Sequence, residues 1–536
     1  IANGDWSSDV CSSDLMAIKM FAAIDVGSFE LEMGIYEISQ SFGIREVDHL
    51  RHVLALGKDT YNDGKIGYGL VKEMCQVLKN FTEIMKSYRI TEYRAYATSA
   101  MREAKNSQIV LDQIQVRTGL IVKSINNSEL RLMSYKAVAS KDAAFQKTVQ
   151  KGTAIIDVGF GSTQISLFDK DMLVSTQNIF LGGLRMREMI SRWNLSAGEV
   201  VPVMEELVDN ELYPFKRIYL KEREIKCLIA TGESILFMAK SGIRHMESDR
   251  VSAEQFRSFY NRLLSMRPEE IEDYYGVDRE YASILVPSAI IYGRVLEMTG
   301  AETVWIPGVS LCDGIAAEYA QEKKLVKLRH DFNGDILSAA RNMAKRYKCH
   351  GAHIQEVDRM ASELFDVTKK YHGLGERERL LLRIAAILHD CGKFISSSRE
   401  TQSSYQIIMA TEIIGISHLE REIVANVVRY CNQEFAYNGV HLESDLSQYE
   451  GRGLTKRAVT ILIAKLTAIL RLANALDKSQ RQKLAGASLA VKDGKLLITA
   501  TCQETIILER ASFDNTAEFF EEIFGIQPVL KHKRRV

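Results

Sequence analysis

AAIDVGSFELEMGIYEI at Ala22–Ile38 returns as GTAIIDVGFGSTQISLFD at Gly152–Asp169. Each copy reads as an apolar strand ending in aspartate, a Val-Gly turn, and a second strand. The copies begin about 130 residues apart, and an internal repeat of this kind fixes an architecture before any other feature does. It predicts two similar α/β lobes facing each other rather than a solenoid.

The turns carry chemistry as well as shape. A carboxylate at a strand end, Asp25 or Asp157, suits a magnesium ion or its waters, because hard cations take oxygen ligands. Gly27, Gly159 and Gly161 let the backbone turn sharply and approach a ligand closely. Successive backbone N–H groups then form an anion nest, with Ser28, Ser162 and Thr163 adding hydroxyl donors. D-x-G is also an ordinary hairpin signal; its repetition in matched strand context favours a clamp around phosphates.

Working outward, a third strand is expected around Ile44–Val53, a helix over Val71–Tyr88, a strand at Tyr93–Thr98, a helix at Ile109–Thr118, a strand at Leu120–Ile125 and a helix at Leu130–Val138. The second lobe continues through strands near Cys227–Thr231 and Thr303–Pro307 to a helix at Gly314–Lys324. After Leu325 helical spacing takes over, with segments at Ile336–Tyr347, His353–Tyr371, Glu376–His389, Tyr405–Ile414, Glu420–Tyr430 and Leu454–Leu476. From Ala487 strands return as SLAVKD, KLLITATC and TIILER, before a helix at Thr516–Phe524. The expected domains are residues 16–140 and 141–325 for the two lobes, 326–484 for an all-α domain, and 485–536 for a small α/β cap.

The chain has 536 residues, enough for several cores, with 46% hydrophobic and 26% charged residues and only 6 prolines. A formal net charge of zero gives no reason to expect DNA or a membrane as partner. Eight scattered cysteines without a C-x-x-C pair fit a reducing, cytoplasmic setting. Leu454–Leu476, the most apolar helix, is interrupted by Lys456, Arg457, Lys465 and Arg471 and reads as a core helix. Residues 1–15, polar and low in complexity, read as a non-native or disordered extension, with Met16 as the natural start. The basic residues Lys531, Lys533, Arg534 and Arg535 read as a solvated end.

With these segments in hand, the chain resembles the exopolyphosphatase and guanosine pentaphosphate phosphatase (Ppx/GppA) family. The carrying motifs are AAIDVGS at Ala22–Ser28, YATSAMREAKN at Tyr96–Asn106, DVGFGST at Asp157–Thr163, LGGLRMRE at Leu181–Glu188, ATGES at Ala230–Ser234 with Gly232, and LVPSAIIYGRVLE followed by PGVSLCDGIAAEYA. The resemblance implies two lobes of the actin-like (ribonuclease H-like) ATPase fold, followed by an all-α HD-like domain and the α/β cap. It implies a phosphoanhydride hydrolase using Mg²⁺ or another divalent cation on inorganic polyphosphate or guanosine pentaphosphate, and a homodimer. INNSELRL matches the family's I-S-G-x-E-E-A-R, which makes Glu129 the expected general base. Arg102, and more weakly Arg185, are expected to hold phosphate oxygens through their guanidinium forks.

Several positions depart from the family. The first turn continues Phe29-Glu30 in place of Asn-Ser, and Gln164 replaces a glutamate that could bind metal. Asn126 and Asn127 replace Ser-Gly, and Cys312-Asp313 replaces Arg-Glu. In the helical domain, His389-Asp390 forms the HD doublet and His353 is the expected preceding ligand. ETQSSYQII lacks the family's histidines, and Asn474 stands where a distal aspartate is expected, with Asp477 one turn on. The expectation is a degenerate HD site of His353, His389 and Asp390, a helical platform whose His–Asp pair makes hydrogen bonds. The departures also admit a sensor that binds a phosphorylated ligand without turnover. An ATP-dependent kinase is a third reading, weakened by Glu233 and Ser234 in place of Gly-Thr.

Overall fold

The computed structural model describes residues 18–141, 143–239, 249–444, 446 and 454–534. The extension expected at residues 1–15 lies outside the described residues, as does Arg535. The chain divides into two compact units, Ile1–Asp331 and Phe332–Val536.

The first unit is built on two sheets of matched topology. In the first, β1 (Lys19–Val26) pairs antiparallel with β2 (Glu30–Ser39) and parallel with β4 (Glu92–Ala97), flanked by β3 (Gly43–Val53) and β5 (Val122–Ser124) in the order β3-β2-β1-β4-β5. In the second, β6 (Thr153–Val158) pairs antiparallel with β7 (Thr163–Asp169) and parallel with β9 (Cys227–Thr231). β8 (Met172–Ile179), β10 (Arg250–Ser252) and β11 (Thr303–Trp305) complete the order β10-β11-β9-β6-β7-β8. Asp25 lies opposite Glu32 as Asp157 lies opposite Gln164, so the repeat holds in register as well as in sequence.

β1 and β6 are nearly continuous apolar runs because both of their faces are covered. The core of the first sheet gathers Ile24, Met33, Leu78 and Ile114; that of the second gathers Ile156, Leu228, Ile284 and Val295. The helix Leu311–Glu322 follows the second sheet in sequence but returns to the first. Cys312, Ile315 and Tyr319 pack there against Phe21, Ala23 and Tyr36. The packing unit of the first sheet is therefore discontinuous, which linear segmentation at residues 140 and 325 does not capture.

The second unit is helical, with Lys456–Ala475 at its centre. Val459, Ile463, Leu466 and Leu470 of that helix are buried, as a core helix requires. A three-stranded sheet closes the unit, β12 (Ser488–Lys492), β13 (Lys495–Cys502) and β14 (Gln527–Arg534), in the order β12-β13-β14. Two expectations are corrected here. TIILER is not a strand: residues from Ile507 onward begin the helix Ile507–Phe524, whose buried Glu509, Phe513, Phe520 and Phe524 keep helical spacing. The third strand is instead the basic C-terminal run, where Pro528 and Leu530 turn inward and Lys531 and Lys533 outward, in parallel register with β13.

Candidate active site

Both glycine turns close with the same bond. Gly27 N–H donates to Glu30 O and Gly159 N–H to Ser162 O, each at 3.0 Å. The hairpin and clamp readings are thus compatible, because both turns line one cleft. Its walls carry Asp25, Gly27, Ser28 and Glu30 from the first turn, and Asp157, Gly159, Phe160, Gly161, Ser162 and Gln164 from the second. Thr98 and Ser99 follow β4, Thr231 ends β9, and Gly232 and Glu233 follow it. Leu130, Ser134 and Ala137 come from the helix Asn127–Ala139. Gly232 adopts φ +108°, and a Cβ there would meet Val158 O at 2.4 Å, so this wall requires glycine.

Two aromatic contacts hold the turns together. Phe29 packs on Phe160 with ring centroids 4.9 Å apart and edge-on to Tyr281 at 5.3 Å. Tyr61 donates from its hydroxyl to Ser28 Oγ at 2.8 Å, and a Cβ on Gly161 would meet that hydroxyl. Ser28 Oγ also accepts from Ala100 N–H at 3.0 Å, which leaves its own O–H to donate.

Burial dominates the cleft's electrostatics. It pushes the Asp25 carboxyl well above the ordinary range, helped by the negative charges of Glu32 and Asp157. Asp157 is raised by burial too, against the Ser134 hydrogen bond and the positive charge of Arg131. Asp25 and Asp157 both line this one cleft, so the duplicated acids share its space. Glu30, Glu32 and Glu233 converge beside them. Burial and the adjacent Glu32 carboxylate push Glu30 up to about 9. Burial opposes ionisation of Glu32 as well, but His49 and Arg51 hold it below its ordinary value. Arg51 donates to Glu233 at 2.6 Å and approaches Glu32 at 3.3 Å. Asp25 Oδ1 and Gln164 Oε1 are buried without a hydrogen-bond partner among the described residues. Such orphaned oxygens next to Asp157 suit a hard divalent cation.

The expected site residues divide. Asp25, Asp157, Gly27, Ser28, Gly159, Gly161, Ser162 and Gly232 come together on the cleft. Thr163 does not line it: its hydroxyl donates inward to Leu181 O at 2.6 Å. Arg102 is not on the wall either; it donates to Ile125 O, Ser99 Oγ and Asn127 Oδ1, tying the Ser99 turn to the start of the next helix. Arg185 Nη2 donates to both Glu103 carboxylate oxygens at 2.6 and 2.7 Å, its Nε donates to Gly161 O at 2.6 Å, and the guanidinium lies over the Tyr61 ring. Glu129 closes a capping box with Asn126, accepting Asn126 N–H at 3.2 Å, while its helix neighbours Leu130 and Ser134 line the cleft. Sequence reasoning noted Glu30 and Glu233 as departures without placing them in the site. The available signal was Glu30 and Glu32, two acids of one parity in an otherwise apolar strand.

In the second unit, His353, His389 and Asp390 are buried and adjacent, as the degenerate HD reading placed them together. Asp477 joins them through His353 Nδ1 at 2.8 Å. Asn474 turns away toward Asn432 and Cys431.

A duplicated fold with two acid-led anion nests on one cleft defines a phosphate-handling protein of the actin-like ATPase architecture. The chain matches the model of the Ppx/GppA phosphatase family over residues 35–323, and that of Ppx/GppA phosphatase domain III over residues 337–509. It belongs to the Ppx/GppA phosphatase family, a family of phosphohydrolases. A guanosine-5'-triphosphate,3'-diphosphate pyrophosphatase of Photobacterium profundum is 19% identical over 90% of this chain and 91% of its own length. The protein of the same name from Vibrio vulnificus is 21% identical over 76% of this chain and 80% of its own. The crystal structure of an exopolyphosphatase from Cytophaga hutchinsonii superposes with a TM-score of 0.51 at 19% identity, covering 57% of this chain and 99% of that one.

Proposed function

We propose that this chain is a cytoplasmic phosphoanhydride hydrolase that removes a terminal phosphate from guanosine pentaphosphate or inorganic polyphosphate. The observation that carries this reading is the approach of Asp25 and Asp157, from matched turns, on one cleft with their glycine backbones. Asp25, Asp157 and the amide oxygen of Gln164 would hold Mg²⁺, which would supply positive charge to phosphate oxygens. The Gly27–Ser28 and Gly159–Ser162 backbones cradle the phosphates, and the Ser28 hydroxyl donates to one of them. The cation is needed all the more here because Glu30 and Glu233 add carboxylates to the wall.

Water activation falls to a carboxylate. Glu30, raised to about 9, is protonated at neutral pH and is no base in that form. Glu129 takes the role once it leaves the capping box, directly preceding Leu130 of the cleft wall. The test is phosphate release from guanosine pentaphosphate, long-chain polyphosphate and ATP with Mg²⁺. Glu129→Gln is expected to lower turnover by about 100-fold or more with substrate binding retained; unchanged turnover removes Glu129 from the mechanism.

A second reading is a sensor that binds the phosphorylated ligand and does not turn it over. Gln164, an amide where the family carries an acid and a weaker ligand for a divalent cation, favours it. Saturable binding of guanosine pentaphosphate with no phosphate release from the wild type selects this reading.

A further inference from the structure

The second unit contains a cavity of about 290 Å³ that shares no residue with the phosphate cleft or with the His–Asp cluster. Among the described residues its wall is Gln402, Tyr405 and Gln406 of the helix Glu400–Ala410, Arg429 at the end of the helix His418–Arg429, and Gln433 four residues on. Gln402, Tyr405 and Gln406 keep the three- and four-residue spacing that puts side chains on one face. Ser404 takes another face, where its Oγ accepts from Gly392 N–H at 2.8 Å and donates to His389 O at 3.2 Å. The cavity thus lies off the side of this helix that meets His389.

The charge on the wall is unbalanced. Arg429 stands among three carboxamides and a phenol, with no carboxylate in the lining among the described residues. Its guanidinium lies over the Tyr405 and Tyr430 rings, 5.6 Å from each centroid. Those contacts use none of its N–H groups, and Arg429 has no ion pair or hydrogen bond among the described residues. The acids of the two helices are engaged elsewhere. Glu422 accepts from Glu443 and Ser444 N–H, and Glu400 accepts from Asn432 Nδ2 at 2.7 Å. Gln433 is fixed by donating Nε2 to Thr401 Oγ1 at 2.6 Å. The side-chain amides of Gln402 and Gln406 and the Tyr405 hydroxyl make no hydrogen bond among the described residues.

A cation in a last helical turn is ordinary. A ring-held guanidinium with unused N–H edges, beside unused amides and a phenol, is a donor set for an oxyanion. The number of donors separates the oxyanions. A carboxylate presents two oxygens and a phosphate monoester three, while the guanidinium fork, two amides and the phenol are four donor groups. We propose that Arg429, Gln402, Tyr405 and Gln406 bind the phosphate group of a small phosphorylated ligand or free inorganic phosphate. The cavity has room for roughly ten waters at their liquid volume and sits near the lower end of small-molecule pockets, so it admits either source. The inference does not rest on the reading of the phosphate cleft.

The test is hydrogen exchange of the full chain with a chelator present, so that no divalent cation serves the cleft. The probes are inorganic phosphate, a nucleoside monophosphate and acetate at matched ionic strength. Saturable slowing of the amides of residues 402–406 and 429–433 is expected with a phosphate compound and not with acetate. Slowing by inorganic phosphate identifies the free ion as sufficient; slowing by the monophosphate alone identifies the ester. Arg429→Gln is expected to weaken the effect about 10-fold or more. Gln406→Ala, a change at an exposed position, is expected to weaken it by a smaller factor, and Asp157→Asn to leave it in place. No slowing by either phosphate compound overturns the proposal. Slowing that acetate matches, or that persists unchanged in Arg429→Gln and Gln406→Ala, overturns it as well.

Discussion

Glu30 and Glu32 stand two positions apart on β2, so both carboxylates turn into the same dry space. Glu30 at about 9 and Glu32 below its ordinary value describe a pair that keeps one proton at neutral pH. The folded chain holds this proton over a range in which the unfolded chain, with Glu near 4.5, has released it. Stability contributed here therefore falls as pH rises from about 4.5 to about 9. His49, raised to about 9 by its hydrogen bonds to Glu32 and Glu46 against the opposing effect of burial, adds a loss in the same direction between about 6.5 and 9. The melting temperature is expected to drop between about pH 6 and 9, and Glu30→Gln to flatten that drop; equal slopes in the two proteins would contradict the shared proton. At this scale the sequence spoke unevenly. Asp25 and Asp157 were legible because a strand-end acid before glycine occurs twice. Thr163 and Arg102 were not, because chain proximity to a nest does not fix where a hydroxyl or guanidinium points once Leu181 O or Asn127 Oδ1 offers a partner.

Elements show how the departures from the family compensate one another. Phe29 and Phe160 each look like a defect in a glycine-serine turn, yet they meet across the cleft and join the core of the second sheet. The turns proposed to bind phosphate are also the turns that pin the lobes. Phe29→Ala removes a fully buried ring and is expected to cost about 3–5 kcal/mol, measured by chemical denaturation. A cost near 1 kcal/mol would mean that the pin carries little. Helical spacing marked most elements of the second unit, but TIILER misled. Thr505–Arg510 is rich in β-branched residues, and only the wider spacing of Glu509, Phe513, Phe520 and Phe524 shows the helix. The C-terminal strand escaped notice because its lysines dominate the composition, while Pro528 and Leu530 alternate quietly between them.

Across the whole molecule the duplication predicted two sheets of one topology, and they are present with Asp25 and Asp157 in corresponding register. The return of Leu311–Glu322 to the first sheet could not be read, since nothing local in an amphipathic helix names the sheet it will cover. The cleft lies wholly in the first compact unit, so its ligand should act on that unit. In hydrogen exchange, guanosine pentaphosphate with Mg²⁺ is expected to slow the amides of residues 25–30 and 157–164. Protection by the nucleotide confined to the second unit would refute the assignment of the cleft.

The central claim is that the two duplicated aspartates act on one phosphate-bearing substrate. Its most direct test is Mg²⁺-dependent phosphate release from guanosine pentaphosphate and polyphosphate by the wild type and Asp157→Asn, with folding checked by circular dichroism. The account predicts release by the wild type and a loss of about 100-fold or more in the folded variant. Undiminished release by Asp157→Asn would contradict it.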